Sequence, residues 1–188
     1  MGYLSREALD AMGFASLGAN VRISDKAAIY DAPLIRLGDN CRVDDFSTLS
    51  GRVTMGRNVM ISALCHVAGG MPGVDLADFA TLAYGVKFMS QSDDYTGATM
   101  TGPTVPAAYK REIKARSALG RHVIVGTNSV ILPGVEVAEG CAIGAMSLVT
   151  RSTEPWGIYA GCPARRLRDR RQDLLALEQA YLAAEGAA

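Results

Sequence analysis

The sequence has no excess of either charge: 19 Lys and Arg stand against 19 Asp and Glu in 188 residues. Without a global basic field there is nothing to gather a phosphate backbone or an anionic membrane surface, so nucleic acid is not an expected partner. Aromatic residues make up only 6% of the chain, with one Trp. The four cysteines, Cys41, Cys65, Cys141 and Cys162, form no C-x-x-C pair and no dense framework. That argues against a disulfide scaffold and fits a reducing cytoplasm. His66 and His122 are the only histidines, and no metal is expected. No stretch approaches the roughly 20 apolar residues of a membrane span, and no export signal opens the chain, so membrane insertion is not expected. Arg6 occupies the place where a myristoylation motif needs Ser or Thr.

What is abundant is small and aliphatic. The stretch LGRHVIVGTNSVILPGVEVAEGCAIGAMSLVT, residues 119 to 150, divides into sixes. A helix places apolar residues three and four apart and a half-buried strand alternates them, so a period of six belongs to a repeat architecture. The series runs Leu17, Ile23, Ile29, slips near Pro33, and continues Leu37, Val43, Leu49, Met55, Ile61 and Val67. It slips again at GGMPG, resumes at Leu76, Leu82 and Phe88, stops, and returns at Leu119, Val125, Ile131, Val137, Ile143 and Val149. Small residues stand four positions later, among them Cys41, Ser47, Ala80, Ser129, Cys141 and Ser147. Each six thus supplies one aliphatic and one small inward position, joined by a turn that Gly, Asn or Asp can occupy at positive φ. Three sixes make a triangular coil of about 18 residues, and about six coils stacked roughly 4.8 Å apart make a prism.

A stack whose coils touch only their neighbours needs covers at its ends. Ser5 can cap a short helix through SREALDAM, with Gly13 as its stop. At the other end, RDRRQDLLALEQAYLAAEG carries Leu174, Leu177, Tyr181 and Leu182 at helical spacing, with Gly186 as a stop, and that apolar face needs a surface to meet. Between Phe88 and Leu119 the repeat is broken by a segment too long and too polar at its start for a turn. It reads as a protruding arm on a rigid scaffold. The expected organisation is one domain over 1–188: an N-terminal cap at 1–16, coils at 17–88 and 114–152, an arm at 89–113 and a C-terminal helix at 168–185.

The sequence resembles the hexapeptide-repeat acyltransferases over nearly all of residues 17 to 168. The most specific stretch is GRHVIVGTNSVILPGVEVAEGCAIGAMSLVTRSTEPWGIYAGCPARRLRDR, which is similar to the last coils and exit of the sugar acetyltransferase branch. The resemblance implies a mainly β fold, a left-handed parallel β-helix with a protruding loop and a C-terminal α-helix. Strand-crossover rules alone favour the right hand, so the handedness comes from the resemblance. It also implies a homotrimer with active sites between prisms, and acetyl-CoA as co-substrate along the coils. Turns at Gly126, Thr127, Gly144 and Ala145 leave room for a pantetheine arm, or serve only as coil turns. Arg151, Arg165 and Arg166 meet its phosphates, or form only a solvated face.

Acetyl transfer from a thioester needs a deprotonated acceptor and aligned substrates. The family's histidine base often sits in an S-H-D loop near the arm, and this chain has Ser90, Gln91, Ser92, Asp93 and Asp94 there instead. The base is therefore not carried over. His66 is the first candidate, since imidazole titrates near neutrality, with Asp93 or Asp94 to orient it or to bind the acceptor. SDDYTG also reads as a turn rich in Asx hydrogen bonds, and His122 reads as structural. Tyr84, Ser90, Gln91 and Tyr95 are the expected substrate contacts. An amine needs less help from a base than an alcohol, so the unmatched motif leans toward an amino sugar. FMSQSDDYTG, GPTVPAAYK and EPWGIYAG resemble acetyltransferases of nucleotide-linked 4-amino-4,6-dideoxy sugars in surface-polysaccharide biosynthesis. The alternatives are a sugar O-acetyltransferase and a non-catalytic β-helix scaffold. A γ-carbonic anhydrase on the same prism needs three histidines. A serine acetyltransferase would bring a large N-terminal helical domain, and a lipid acyltransferase a longer helical tail.

Overall fold

The computed structural model describes residues 2–185, so the expected stop at Gly186 lies outside the described residues. Short strands wind into a three-sided prism, parallel from coil to coil. The first face stacks Arg22–Ile23, Arg42–Val43, Met60–Ile61, Thr81–Leu82, Ile124–Val125, Ala142–Ile143 and Gly157–Ala160, with Arg165–Asp169 added antiparallel at its end. Seven parallel strands on one face make the prism a coil taller than the repeat count suggests.

The period of six acts as expected. Leu49, Val67, Phe88 and Ile131 are fully buried along the axis, as are small residues such as Cys41, Ser47, Ala80 and Cys141, while Leu17, Val21, Ala27 and Ile29 near the N-terminal end are partly buried. The small inward positions have a polar task too. Ser47 Oγ donates to Ser62 O at 2.8 Å and Ser129 Oγ to Gly144 O at 2.8 Å, while the Cys41 thiol donates to Gly56 O at 3.0 Å. Each thus satisfies a corner carbonyl inside the buried core. Burial pushes the Cys41 thiol up to about 11, so it is an inert packing group.

The N-terminal end is closed by α1, Arg6–Ala11, whose cap Ser5 accepts from Ala8 N at 3.2 Å and whose Leu9 is buried on the first coil. The other end is closed by the hairpin of Gly157–Ala160 with Arg165–Asp169, where Arg166 lies over the Tyr159 ring at 5.8 Å.

The C-terminal helix differs from the expectation in start, place and polarity. Residues 168 and 169 belong to the closing strand, and α2 spans Leu174–Glu185. It runs along a corner of the prism instead of covering an end. Leu177 is 70% exposed and Tyr181 40%, whereas Glu178 is only 8% exposed. The physical reason is the surface it meets. That corner presents Asn40, Asn58, Phe79 and His122, all at positive φ. Glu178 bonds Arg121 and His122, Tyr181 OH accepts from Asn58 Nδ2 at 3.0 Å, and Glu185 takes Asn40 and Arg57. Residues 178, 181 and 185 share one helix face and span about 10 Å of rise, close to two coil spacings.

Candidate active site

The candidate residues fall on one corner, the face that follows it and the arm. The corner that follows the first face holds Asp44–Ser47, Ser62–Cys65, Ala83–Val86, Gly126–Ser129 and Gly144–Ser147, one turn above another, tied by bonds such as Asn128 N to Tyr84 O and Met146 N to Thr127 O. Tyr84, Gly126, Thr127, Gly144 and Ala145, scattered over some 60 positions of sequence, therefore share one edge. Gly126 and Gly144 have a packing reason first. A Cβ on Gly126 would lie 2.5 Å from Ala145 N, and one on Gly144 would lie 2.9 Å from Ala160 Cβ. The amide N–H groups of Thr127 and Ala145 donate to no acceptor among the described residues. They are a pair of open donors on the edge.

Arg165 pairs in register with Ala160 at the top of this edge, exposed, with only Ala164 O against its guanidinium among the described residues. Arg166 is placed differently. Its fork is held by Asp169 at 2.7 Å and by Tyr159 OH at 3.3 Å, and those bonds raise its pKa further above the ordinary arginine value. Arg151 is exposed just after the last strand of the adjoining face.

On the next face Thr48, His66, Lys87, Val130 and Leu148 stand in register and point outward, alternating with buried Leu49, Val67, Phe88, Ile131 and Val149. The His66 ring has no hydrogen-bond partner among the described residues. Burial first, and the neighbouring Lys87 ammonium second, push its pKa below the ordinary imidazole value. That shift favours the neutral ring. Lys87, which the repeat hid in an ordinary strand slot, is fixed on the edge by the carbonyls of Leu64 and Gly85, each at 3.0 Å. The signal for it was the register: it follows His66 by one full coil.

The arm leaves after Met89 and is closed at its root by Gln91–Asp93 pairing antiparallel with Glu112–Lys114. Asp93 Oδ1 accepts from Gly102 N at 3.3 Å. Asp94 accepts from Thr96 N at 2.8 Å and from Thr99 Oγ1 at 3.2 Å, and bonds from Thr96 in particular hold its carboxyl below the usual range. Both aspartates thus serve their own turn, as an Asx-rich loop does, and neither meets His66 within the chain. Ser90 corrects the expected substrate contacts. It is fully buried and its hydroxyl donates to Gly69 O, so no part of it faces a ligand. Gln91 packs over Gly70, where a Cβ would come within 2.4 Å of its Oε1, and Tyr95 stands 90% exposed. No cluster of three metal-ligating residues occurs among the described residues.

The chain is 36% identical over 184 residues, 96% of its length and 95% of the relative's, to the dTDP-4-amino-4,6-dideoxy-D-glucose acyltransferase of Escherichia coli. The chain belongs to the hexapeptide-repeat sugar acyltransferases. AntD, an N-acyltransferase from Bacillus cereus solved with dTDP and 3-hydroxybutyryl-CoA, superposes with a TM-score of 0.96 at 40% identity, covering 98% of each chain. A serine-to-alanine variant of AntD, solved with dTDP-4-amino-4,6-dideoxyglucose and coenzyme A, matches equally at 0.96 and 40% identity. No protein-family model matches. Membership makes the fold a left-handed parallel β-helix and the protein an acyl-CoA-dependent sugar N-acyltransferase. The scaffold and carbonic anhydrase readings fall away. No helix among the described residues is long and apolar enough to cross a membrane.

Proposed function

We propose that this acyltransferase moves an acetyl group from acetyl-CoA to the 4-amino group of a dTDP-linked 4-amino-4,6-dideoxy sugar, for surface-polysaccharide biosynthesis. The observation that supports the substrate is the near-full-length likeness, at 36% and 40% identity, to two proteins whose name or bound ligand specifies that amino sugar, the second of them solved with coenzyme A beside it. The chemistry agrees. The neutral amine attacks the thioester carbonyl, the C–S bond breaks, the thiolate leaves, and the proton lost by nitrogen passes to a nearby base or to that thiolate. His66, unpaired and held neutral, is the proposed base, with Asp94 or Asp93 from the arm of a neighbouring copy holding the ammonium before it deprotonates.

The donor runs along the edge of Gly126, Thr127, Gly144 and Ala145, its amides taking the open N–H donors at Thr127 and Ala145 and its phosphates meeting Arg165. A homotrimer supplies the second wall. Phe46, Leu64, Tyr84 and Met146 form an exposed apolar ridge on that edge, and three of them hold positive φ, a strained conformation for bulky residues. A neighbouring prism against the ridge accounts for both features. The proposed compartment is the cytoplasm, where the free cysteines stay reduced.

The test is the product itself. Incubation with acetyl-CoA and dTDP-4-amino-4,6-dideoxyglucose, read by NMR, gives an amide at the sugar's C4. An ester at a ring hydroxyl, or a product formed from 3-hydroxybutyryl-CoA and not from acetyl-CoA, overturns the acceptor or the donor respectively.

A further inference from the structure

Lys87 occupies a place in the repeat that does not call for a lysine. Its counterparts in register on the coils above are Val130 and Leu148, so an apolar side chain serves the prism equally well there. The Lys87 ammonium reaches the corner instead, where Leu64 O and Gly85 O each accept a bond at 3.0 Å. Leu64 and Gly85 are the positive-φ residues of two stacked turns. The matching carbonyls of Phe46, Asn128 and Met146 take no hydrogen bond among the described residues, so the stack of turns does not depend on such a tie. What the two bonds do is fix a cation on the edge, and no carboxylate among the described residues pairs with it. An ammonium carries three N–H donors, and the two carbonyls leave one of them unspent.

Its level on the edge matters as much as its charge. Arg165, at the top, and Lys87 are three coils apart, and the open N–H donors of Ala145 and Thr127 mark the two coils between. At the interstrand spacing that is roughly 14 Å. A donor held by its phosphates at Arg165 and threaded past those amides brings its thioester to the coil of Lys87. His66 stands one rung below, in register. In the tetrahedral intermediate the attacking nitrogen and the former carbonyl oxygen hang on one carbon, so the group that takes the proton and the group that steadies the oxygen must be close neighbours. Adjacent rungs about 4.8 Å apart meet that condition.

We infer that Lys87 is the oxyanion donor of the transfer, its unspent N–H bonding the thioester oxygen and its charge stabilising that oxygen as the amine adds. The C–N bond forms while the carbonyl π pair moves onto oxygen beside the ammonium. The return of that pair breaks the C–S bond and expels the thiolate. Lys87 keeps its proton throughout, and the proton lost by nitrogen goes to His66 or to the thiolate. A donor aimed where charge develops acts on the transition state more than on binding. The inference rests on the acyl transfer and the donor edge proposed above and adds a residue to them. The same charge helps to lower the His66 pKa, and an effect confined to His66 is the rival role.

The pH profile of kcat separates the two roles. Lys87→Met removes the charge and leaves an apolar side chain of the kind that Val130 and Leu148 supply at the same place. It is expected to lower the plateau above the acid limb by about a hundredfold or more, with KM for acyl-CoA changed by less than about threefold. Lys87→Arg retains a positive donor and is expected to keep more of the plateau than Lys87→Met. A second reading needs no turnover. Infrared difference spectra of acetyl-CoA labelled at the thioester carbonyl are expected to show the band lowered on the wild type and returned to its free position on Lys87→Met, with calorimetry showing that both proteins bind the donor. If the wild type acylates the amino sugar while Lys87→Met moves only the acid limb and leaves plateau and carbonyl band alone, Lys87 acts through His66, the inference is wrong and the function stands. A Lys87→Met protein that melts like the wild type and no longer binds acetyl-CoA assigns Lys87 to holding the donor and also overturns it. A wild type that releases no thiol from acetyl-CoA or 3-hydroxybutyryl-CoA with the amino sugar removes the acyl-transfer reading, and the inference with it.

Discussion

Glu178 Oε2 lies 2.9 Å from His122 Nε2, both side chains being more than nine-tenths buried, and the second carboxylate oxygen bonds Arg121. This contact joins α2 to the corner of a coil 56 residues earlier. It also inverts the usual amphipathic logic, since the helix turns an acid inward and Leu177 outward. Phe79 completes the seat, stacked on His122 at 5.2 Å and edge-on to Tyr181 at 6.2 Å.

Glu178→Ala therefore strips the acceptor from two donors at once. An unsatisfied buried donor costs about 1–3 kcal/mol, which for a chain of this size lowers Tm by roughly 2–12 °C. Leu177→Ser is expected to stay within about 0.5 kcal/mol of the wild type. Scanning calorimetry on both variants checks the order, and a larger loss for Leu177 contradicts the polar docking of α2.

The repeat made the prism legible because its information is local. A residue such as Phe88 or Ile131 is buried by its place in the six, whichever coil lies above it. The helix was legible as a helix and not in its docking, because which face turns inward depends on Asn58, Phe79 and His122 lining up from three coils. The gathering of Tyr84, Gly126 and Gly144 on one edge follows from the period. The position of Asp94 does not, since the arm has no repeat to place it, and Ser90 was misread because its burial depends on the GGMPG slip beneath it.

His66 gives a pH prediction. Burial and then Lys87 lower its pKa, so the ring stays neutral further into acid than a free imidazole with its ordinary value of 6.5. Protonation silences a base, so the acid limb of kcat/KM falls below that pH. Lys87→Gln removes the nearby positive charge and shifts the limb upward, while His66→Ala lowers kcat more than it raises KM. If kcat survives in His66→Ala, the proton goes to Asp94, Asp93 or the leaving thiolate.

Two arginines one residue apart are expected to differ. Arg165→Ala is expected to raise KM for acyl-CoA several-fold with kcat nearly unchanged, because its guanidinium is open at the top of the proposed donor edge. Arg166→Ala acts mainly on stability, through its contacts with Tyr159 and Asp169. Steady-state kinetics beside thermal melts separate the two, and equal KM effects from both contradict the placement.

Gly126→Ala puts a methyl 2.5 Å from the backbone nitrogen of Ala145. The stacked turns must move apart, at an expected cost of about 1–3 kcal/mol. Urea unfolding measures this, and an unperturbed midpoint shows that the turns have room to spare.

The measurement that bears most directly on the account is thiol release from acetyl-CoA by the purified protein. Two acceptors suffice, dTDP-4-amino-4,6-dideoxyglucose and the same nucleotide sugar with a hydroxyl at C4. The account predicts turnover with the amine and none with the hydroxyl. Turnover with the hydroxyl alone would contradict it.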